Sequence, residues 1–189
     1  MPDKYKPTMP VSSKPYPDSF DSVITLVCDV SGSMDDRTGT GETKLEAAKT
    51  AGAVISDMVS DWSTKYSGNY GMGVVQFSNS AKTLAYPHID YPFISECIDA
   101  MGDGGGTNIA SGLELGISQL DNVEASSKVI ILMTDGMDNF SSDIIGQAEN
   151  AKSKNIRIFT IGFGNDADEN LLMKVADTTG GEYRFADTD

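Results

Sequence analysis

A single histidine, His88, and two cysteines, Cys28 and Cys97, are all the imidazole and thiolate donors the chain can offer zinc. No Cys-x-x-Cys pair occurs, so a zinc site is excluded. Cys28 falls inside an apolar run and Cys97 on a predicted helix, where each is expected as a small buried core residue. Cationic residues are also scarce: 14 Lys and Arg stand against 28 Asp and Glu, for a formal charge of −14. No basic cluster interrupts that acidity, which excludes nucleic acid and anionic membrane as partners. No apolar run is long enough to span a bilayer. Lys4 and Lys6 are not followed by an apolar core, so the N-terminus does not read as a signal peptide. The expected setting is the cytoplasm, or an excised domain of a cell-surface protein.

The remaining composition is that of a folded protein: 39% hydrophobic and 22% charged over 189 residues, enough for one sizeable core. Five of the seven prolines (Pro2, Pro7, Pro10, Pro15 and Pro17) crowd the first eighteen residues. They rule out a helix there and mark residues 1–19 as an extended arm or linker ahead of a domain over 20–189. Within the domain, strand and helix patterns alternate. Val23 to Val30 and Lys128 to Thr134 are near-continuous apolar runs, as in strands covered on both faces. Lys44 to Trp62 reads as a helix with Leu45, Ala48, Gly52, Ile55, Val59 and Trp62 on one stripe, opened by a Thr43–Glu46 capping box. Gly71–Phe77 and Lys82–Tyr86 read as a hairpin at a sheet edge. Helices are expected over 93–101, 107–120, 142–154 and 168–178, and strands over 157–162 and 182–186. The sum is an α/β domain: a parallel sheet with one antiparallel edge strand and helices on both faces.

In such a sheet, ligands bind beyond the carboxyl ends of the strands, where strand order reverses. Both apolar strands end in an aspartate, Asp29 and Asp135. Ser31 and Ser33 alternate after Asp29, and Thr107 opens a helix whose positive end faces the same region. Asp29, Ser31, Ser33, Thr107 and Asp135 together offer only hard oxygen donors, the set that suits Mg²⁺. Two carboxylates formally balance a divalent cation, and three hydroxyls add no charge. If one carboxylate acts through water, the metal stays electron-poor and can take an anionic oxygen from outside. Thr107 and Asp135 are expected on surface loops, so that replacing either would spare the fold.

The sequences Asp29-Val30-Ser31-Gly32-Ser33-Met34, Gly105-Gly106-Thr107-Asn108-Ile109 and Thr134-Asp135-Gly136 resemble the three parts of the metal-ion-dependent adhesion site of von Willebrand factor A domains, in its bacterial type. The resemblance spans roughly residues 20 to 187. It implies a doubly wound, Rossmann-like sheet of order 3-2-1-4-5-6. It implies that Ser31, Ser33 and Thr107 coordinate the metal directly, and that Asp29 and Asp135 do so directly or through water. The implied cation is Mg²⁺ or Mn²⁺, with Ca²⁺ a further option, and the implied ligand is an Asp or Glu carboxylate of a partner protein. Bacterial members also serve as adaptors to AAA+ ATPases or as parts of adhesins and pili. The chain departs from the family in two places. The loop Asp35 to Glu42 is longer than usual, and the sequence ends at Asp189 where the family normally adds a C-terminal helix. The groove so exposed is expected to be covered by the N-terminal arm, a partner or a further segment.

Duller readings exist for each residue taken alone. Ser and Thr favour turns and helix caps, and Asp-Gly is a turn dipeptide. Catalysis fits less well: Ser31 stands where a phosphotransferase would want a second acid, and the Gly102–Thr107 loop lacks a phosphate-binding lysine. His88 is expected in a loop remote from Ser31, against a Ser-His-Asp site. Asp166, Asp168 and Asn170 have the opening spacing of a calcium loop, but Leu171 replaces its glycine, so a helix N-terminus is expected there. The expectation is therefore a non-enzymatic, metal-dependent protein-binding module, with a structural module whose metal only braces the loops as the alternative.

Overall fold

A computed structural model describes residues 10–102, 104–136, 138–140, 143–164 and 167–186. The first nine residues of the arm, Asp103, Ser142, Asp166 and the last three residues lie outside the described residues. The elements in chain order are β1 (Phe20–Asp29), α1 (Lys44–Tyr66), β2 (Tyr70–Phe77), β3 (Ala81–His88), α2 (Tyr91–Asp99), α3 (Ile109–Asp121), β4 (Ala125–Thr134), α4 (Ile144–Ser153), β5 (Ile156–Phe163), α5 (Glu169–Thr179) and β6 (Tyr183–Ala186). The strands form one sheet of order β3-β2-β1-β4-β5-β6, parallel throughout except for the β2–β3 pair. β1 sits centrally, paired with both β2 and β4, because its side chains are apolar on both faces.

Alternation along β1 divides the core into two layers. Val23 and Val27 point into the layer that holds Ile109, Leu113 and Ile117 of α3. Leu26 and Cys28 point into the other, with Ala48 and Val59 of α1 and Ile94 and Ile98 of α2. α3 lies unusually close to the sheet. A Cβ on Gly112 would stand 2.6 Å from Phe77 Cδ1, and one on Gly116 would stand 2.8 Å from Val27 Cγ2. Both cysteines are buried and unbridged. Burial pushes the Cys28 thiol up to about 12 and Cys97 up to about 11, so both act as small core residues. No helix among the described residues is long and apolar enough to cross a membrane.

Several expectations change in detail. α1 runs on past Trp62 to Tyr66, where Ser67 takes the left-handed conformation that ends it. Trp62 is 39% exposed rather than packed, and Ser56 occupies the buried stripe instead. The Thr43–Glu46 capping box forms in full. His88 lies at the end of β3, not in a loop, because the strand pairs as far as Met72. The polar stretch after β1 is not a plain loop. Gly32–Asp35 is a 3₁₀ turn, and Thr38 to Glu42 fold back on themselves through Arg37 and Thr43.

Pro10 to Asp18 carry the arm across the outer corner of the sheet. Ser12 and Ser13 hydrogen-bond Asp90, and the Tyr16 ring meets His88 edge-on at 5.6 Å. These contacts lie on β3 and at the start of α2. The groove beside α1 is elsewhere, lined by Thr38, Glu42, Ala47, Ala51, Phe163 and Ala186. The described part of the arm is therefore not its cover.

Candidate functional site

The carboxyl ends of β1 and β4 lie side by side, and the loops that leave them are fastened to the start of α3. Val30 N–H donates to Phe77 O at 2.9 Å and Gly32 N–H to Gly105 O at 3.0 Å. Gly105 holds φ at +115°, a conformation that L side chains rarely adopt, and this turns its carbonyl toward Gly32. Thr107 and Asn139 exchange two bonds: Thr107 N–H to Asn139 Oδ1, and Asn139 N–H to Thr107 O, each 2.9 Å. Asp138 Oδ1 accepts from Ile109 N–H at 3.1 Å, at the first turn of α3.

Ser31, Ser33 and Asp135 form a continuous chain of oxygens. Ser31 Oγ lies 3.2 Å from Ser33 Oγ, which donates to Asp135 Oδ1 at 2.9 Å. Thr107 Oγ1 and Ser33 Oγ stand 3.4 and 3.9 Å from the point where a Cβ on Gly136 would sit. Glycine at 136 leaves that approach open. Asp29 lies beneath, accepting from Ser31 N–H at 2.8 Å and from the Thr134 hydroxyl at 2.6 Å. Burial raises the Asp29 carboxyl above the usual range; hydrogen bonds from Thr134 and Ser31 pull it back, and the Asp135 charge pushes it up again. Two buried carboxylates this close together create a demand for positive charge.

Asp29, Ser31, Ser33 and Asp135 thus share one hydrogen-bonded cluster at the rim of the sheet, with Thr107 across Gly136 from it, but not all lie as expected. Thr107 and Asp135 are buried rather than on exposed loops, and Ser33 is the exposed member. Replacing Asp135 would therefore disturb the fold as well as the site. Thr107 does not open α3; Asn108 caps it, accepting from Ser111 N–H, which leaves Thr107 one residue outside. The sequence reading missed Lys44, whose Nζ lies 2.8 Å from Asp135 Oδ2 in a buried ion pair. A lysine in the first turn of a helix opposes the helix dipole, and that local conflict was the available signal. It also left out Thr134, although Thr134 stood inside the quoted motif.

The donor set can hold a hard cation. Cis oxygens around Mg²⁺ are about 3.0 Å apart when its bonds are about 2.1 Å. The Ser31–Ser33 and Ser33–Asp135 separations fall at that spacing. No group of three or more His, Cys, Asp or Glu converges on a metal position among the described residues, so any cation here would rest on two carboxylates and neutral hydroxyls. Asp168, one of the calcium-loop residues, caps α5 by accepting from Leu171 N–H at 3.0 Å. His88 pairs with Met72, five residues along β2 from Phe77, the partner of Asp29. That is about 17 Å of strand, so Ser31 and His88 do not meet.

Among known proteins, an uncharacterized protein of Borreliella burgdorferi is 26% identical over 156 residues, covering 80% of this chain and 43% of its own length. The chain spans less than half the length of the first curated relatives it matches. Among solved structures, the conserved hypothetical protein BatB of Bacteroides thetaiotaomicron superposes with a TM-score of 0.76 at 19% identity, covering 89% of this chain and 91% of that one. The vWF domain of the type V pili tip protein Mfa5 of Porphyromonas gingivalis gives 0.70 at 15% identity, covering 89% and 90%. Both likenesses are of fold. The sequence pattern of the von Willebrand factor type A domain covers residues 24–189, and the chain belongs to that family.

Proposed function

We propose that this domain is a protein-binding module that uses a divalent cation, Mg²⁺ or Mn²⁺, to capture a carboxylate of a partner protein. Domains of this family are interaction and adhesion modules in general, and a fold neighbour sits at a pilus tip. The observation that carries the reading is the position of Ser33. Its exposed hydroxyl bridges Ser31 on one side and Asp135, 102 residues away, on the other. Ser31, Ser33 and Thr107 would hold the cation, with Asp135 beside them and Asp29 acting from beneath. Asp29 suits a role through water, because both its oxygens already accept hydrogen bonds within the protein. When bound, the cation supplies Lewis acidity toward an incoming carboxylate oxygen.

The protein's own groups set the direction of approach. Asp29 and Asp135 are fully buried, so entry is from the side of Ser33. A purely structural metal would be redundant as a brace. Gly32 to Gly105, Thr107 to Asn139 and Asn108 to Ser78 already tie the loops by direct hydrogen bonds. Arrays of immobilised peptides ending in Asp, Glu, Asn or Gln, probed in Mg²⁺ and in chelator, test the proposal. Binding confined to the acidic peptides and to Mg²⁺ supports it; equal binding in chelator refutes it.

A further inference from the structure

Among the described residues Lys44 is the one buried lysine, at 6% exposure, and it stands at the first position of α1. Both facts work against an ammonium there: burial strips its hydration, and the helix terminus carries partial positive charge. Its backbone leaves it little room to retreat. Thr43 and Glu46 cap the helix around it, and Lys44 N–H donates to Asp36 O at 3.0 Å, just past the 3₁₀ turn that carries Ser33. Asp135 supplies the compensating charge and divides its two oxygens to do so. Oδ2 faces Lys44 Nζ at 2.8 Å, while Oδ1 faces Ser33 Oγ at 2.9 Å. One carboxylate therefore serves two claimants, an internal cation and the hydroxyl cluster.

We infer that Lys44 is a built-in counter-cation of the metal pocket, competing for Asp135 and holding the pocket's affinity for divalent cations below what its oxygens alone would give. The inference rests on the metal reading above. Its physical content is charge. Removing the Lys44 ammonium takes one positive charge away from Asp135, whatever else surrounds the pocket. A cation placed near a second fixed cation in a buried setting is repelled, and an anion arriving from outside is attracted. Lys44 thus acts as a positioning residue, through Asp135 and through charge.

Mn²⁺ binding measured by electron paramagnetic resonance on wild type, Lys44→Met, Lys44→Gln and Lys44→Arg tests this, with melting temperature in Mn²⁺ and in chelator alongside. Lys44→Met and Lys44→Gln are expected to bind Mn²⁺ at least ~tenfold more tightly than wild type. They should also melt lower in chelator and gain more from Mn²⁺ than wild type does. Lys44→Arg, which keeps the charge, should stay within about threefold of wild type. Mn²⁺ binding by the neutral variants but not by wild type would support the counter-cation role of Lys44 while overturning the reading of the wild-type pocket as a working metal site. Folded neutral variants with unchanged or weaker Mn²⁺ affinity would overturn it while leaving the metal reading intact. Failure of every folded variant, wild type included, to bind Mn²⁺ would overturn the metal reading and this inference together. If neither neutral variant folds with or without Mn²⁺, Lys44 is a structural requirement and the inference falls.

Discussion

The Thr134 hydroxyl donates to Asp29 Oδ2 at 2.6 Å, joining the carboxyl ends of the two central strands directly beneath the hydroxyl cluster. Thr134 Oγ1 also accepts from Gly136 N–H at 3.3 Å, so the same oxygen shapes the turn that carries Asp135. Thr134→Val keeps the shape and removes both bonds. It leaves a fully buried carboxylate oxygen without that donor, which costs about 2 kcal/mol. Urea denaturation in chelator should show that loss, with the m-value unchanged.

The arm contact should be acid-labile. Asp90 N–H donates to His88 Nδ1 at 3.1 Å, so the neutral ring carries its proton on Nε2, facing Ser12 Oγ at 3.3 Å. Burial holds His88 below its usual 6.5, against the Asp90 charge that raises it. A depressed histidine binds fewer protons folded than unfolded, so its contribution is complete above pH 6.5 and declines as pH falls below that. Burial pushes Asp90 up, but the Ser12 and Ser13 hydrogen bonds outweigh it and leave it low. Its contribution is present above pH 3.8 and is lost as pH falls further. Ser13 N–H donates to Asp90, and its protection factor, the exchange rate corrected for the base-catalysed intrinsic rate, should therefore fall from pH 7 to pH 5. His88→Asn should remove that part of the pH dependence.

Gly112→Ala should lower the melting temperature. The new methyl would meet Phe77 Cδ1 at 2.6 Å, and neither α3 nor the sheet can give way freely. Overpacking of this kind costs about 1–3 kcal/mol despite the better helix propensity of alanine. Differential scanning calorimetry checks the sign.

Asp168→Ala should cost about 1 kcal/mol, the ordinary worth of a helix cap. Cation affinity should not change, because Asp168 accepts from Leu171 N–H at the start of α5. Terbium luminescence with the wild type and the variant tests this against a second, calcium-type site near residue 168.

Much of this architecture is legible in the sequence because its strongest signals are local. The apolar runs at Val23–Val30 and Lys128–Thr134 mark the strands that lie adjacent at the centre of the sheet, and Ile109, Leu113, Ile117 and Leu120 are all buried on α3. The five oxygen-bearing residues could be grouped because each sits where an element begins or ends. Lys44 could not be found the same way. Its significance lies in a contact with Asp135 across 91 residues, and no periodicity carries that. Burial at Asp135 and Thr107 was misjudged for a related reason. A polar residue flanked by a glycine and another polar residue reads as an exposed loop, whereas here the converging loops cover one another. Trp62 went the other way: it has the right helical spacing, but beyond Val59 the last turns of α1 have no buried residue.

The central claim is that these oxygens hold one divalent cation, and calorimetric titration of Mg²⁺ into wild type and Ser33→Ala tests it most directly. Ser33 is exposed, so the variant should fold, melting somewhat below wild type in chelator because Asp135 Oδ1 loses its donor. One Mg²⁺ per wild-type chain, with affinity at least ~tenfold weaker in Ser33→Ala, is the predicted result. No binding to wild type, or equal binding to both proteins, would contradict it.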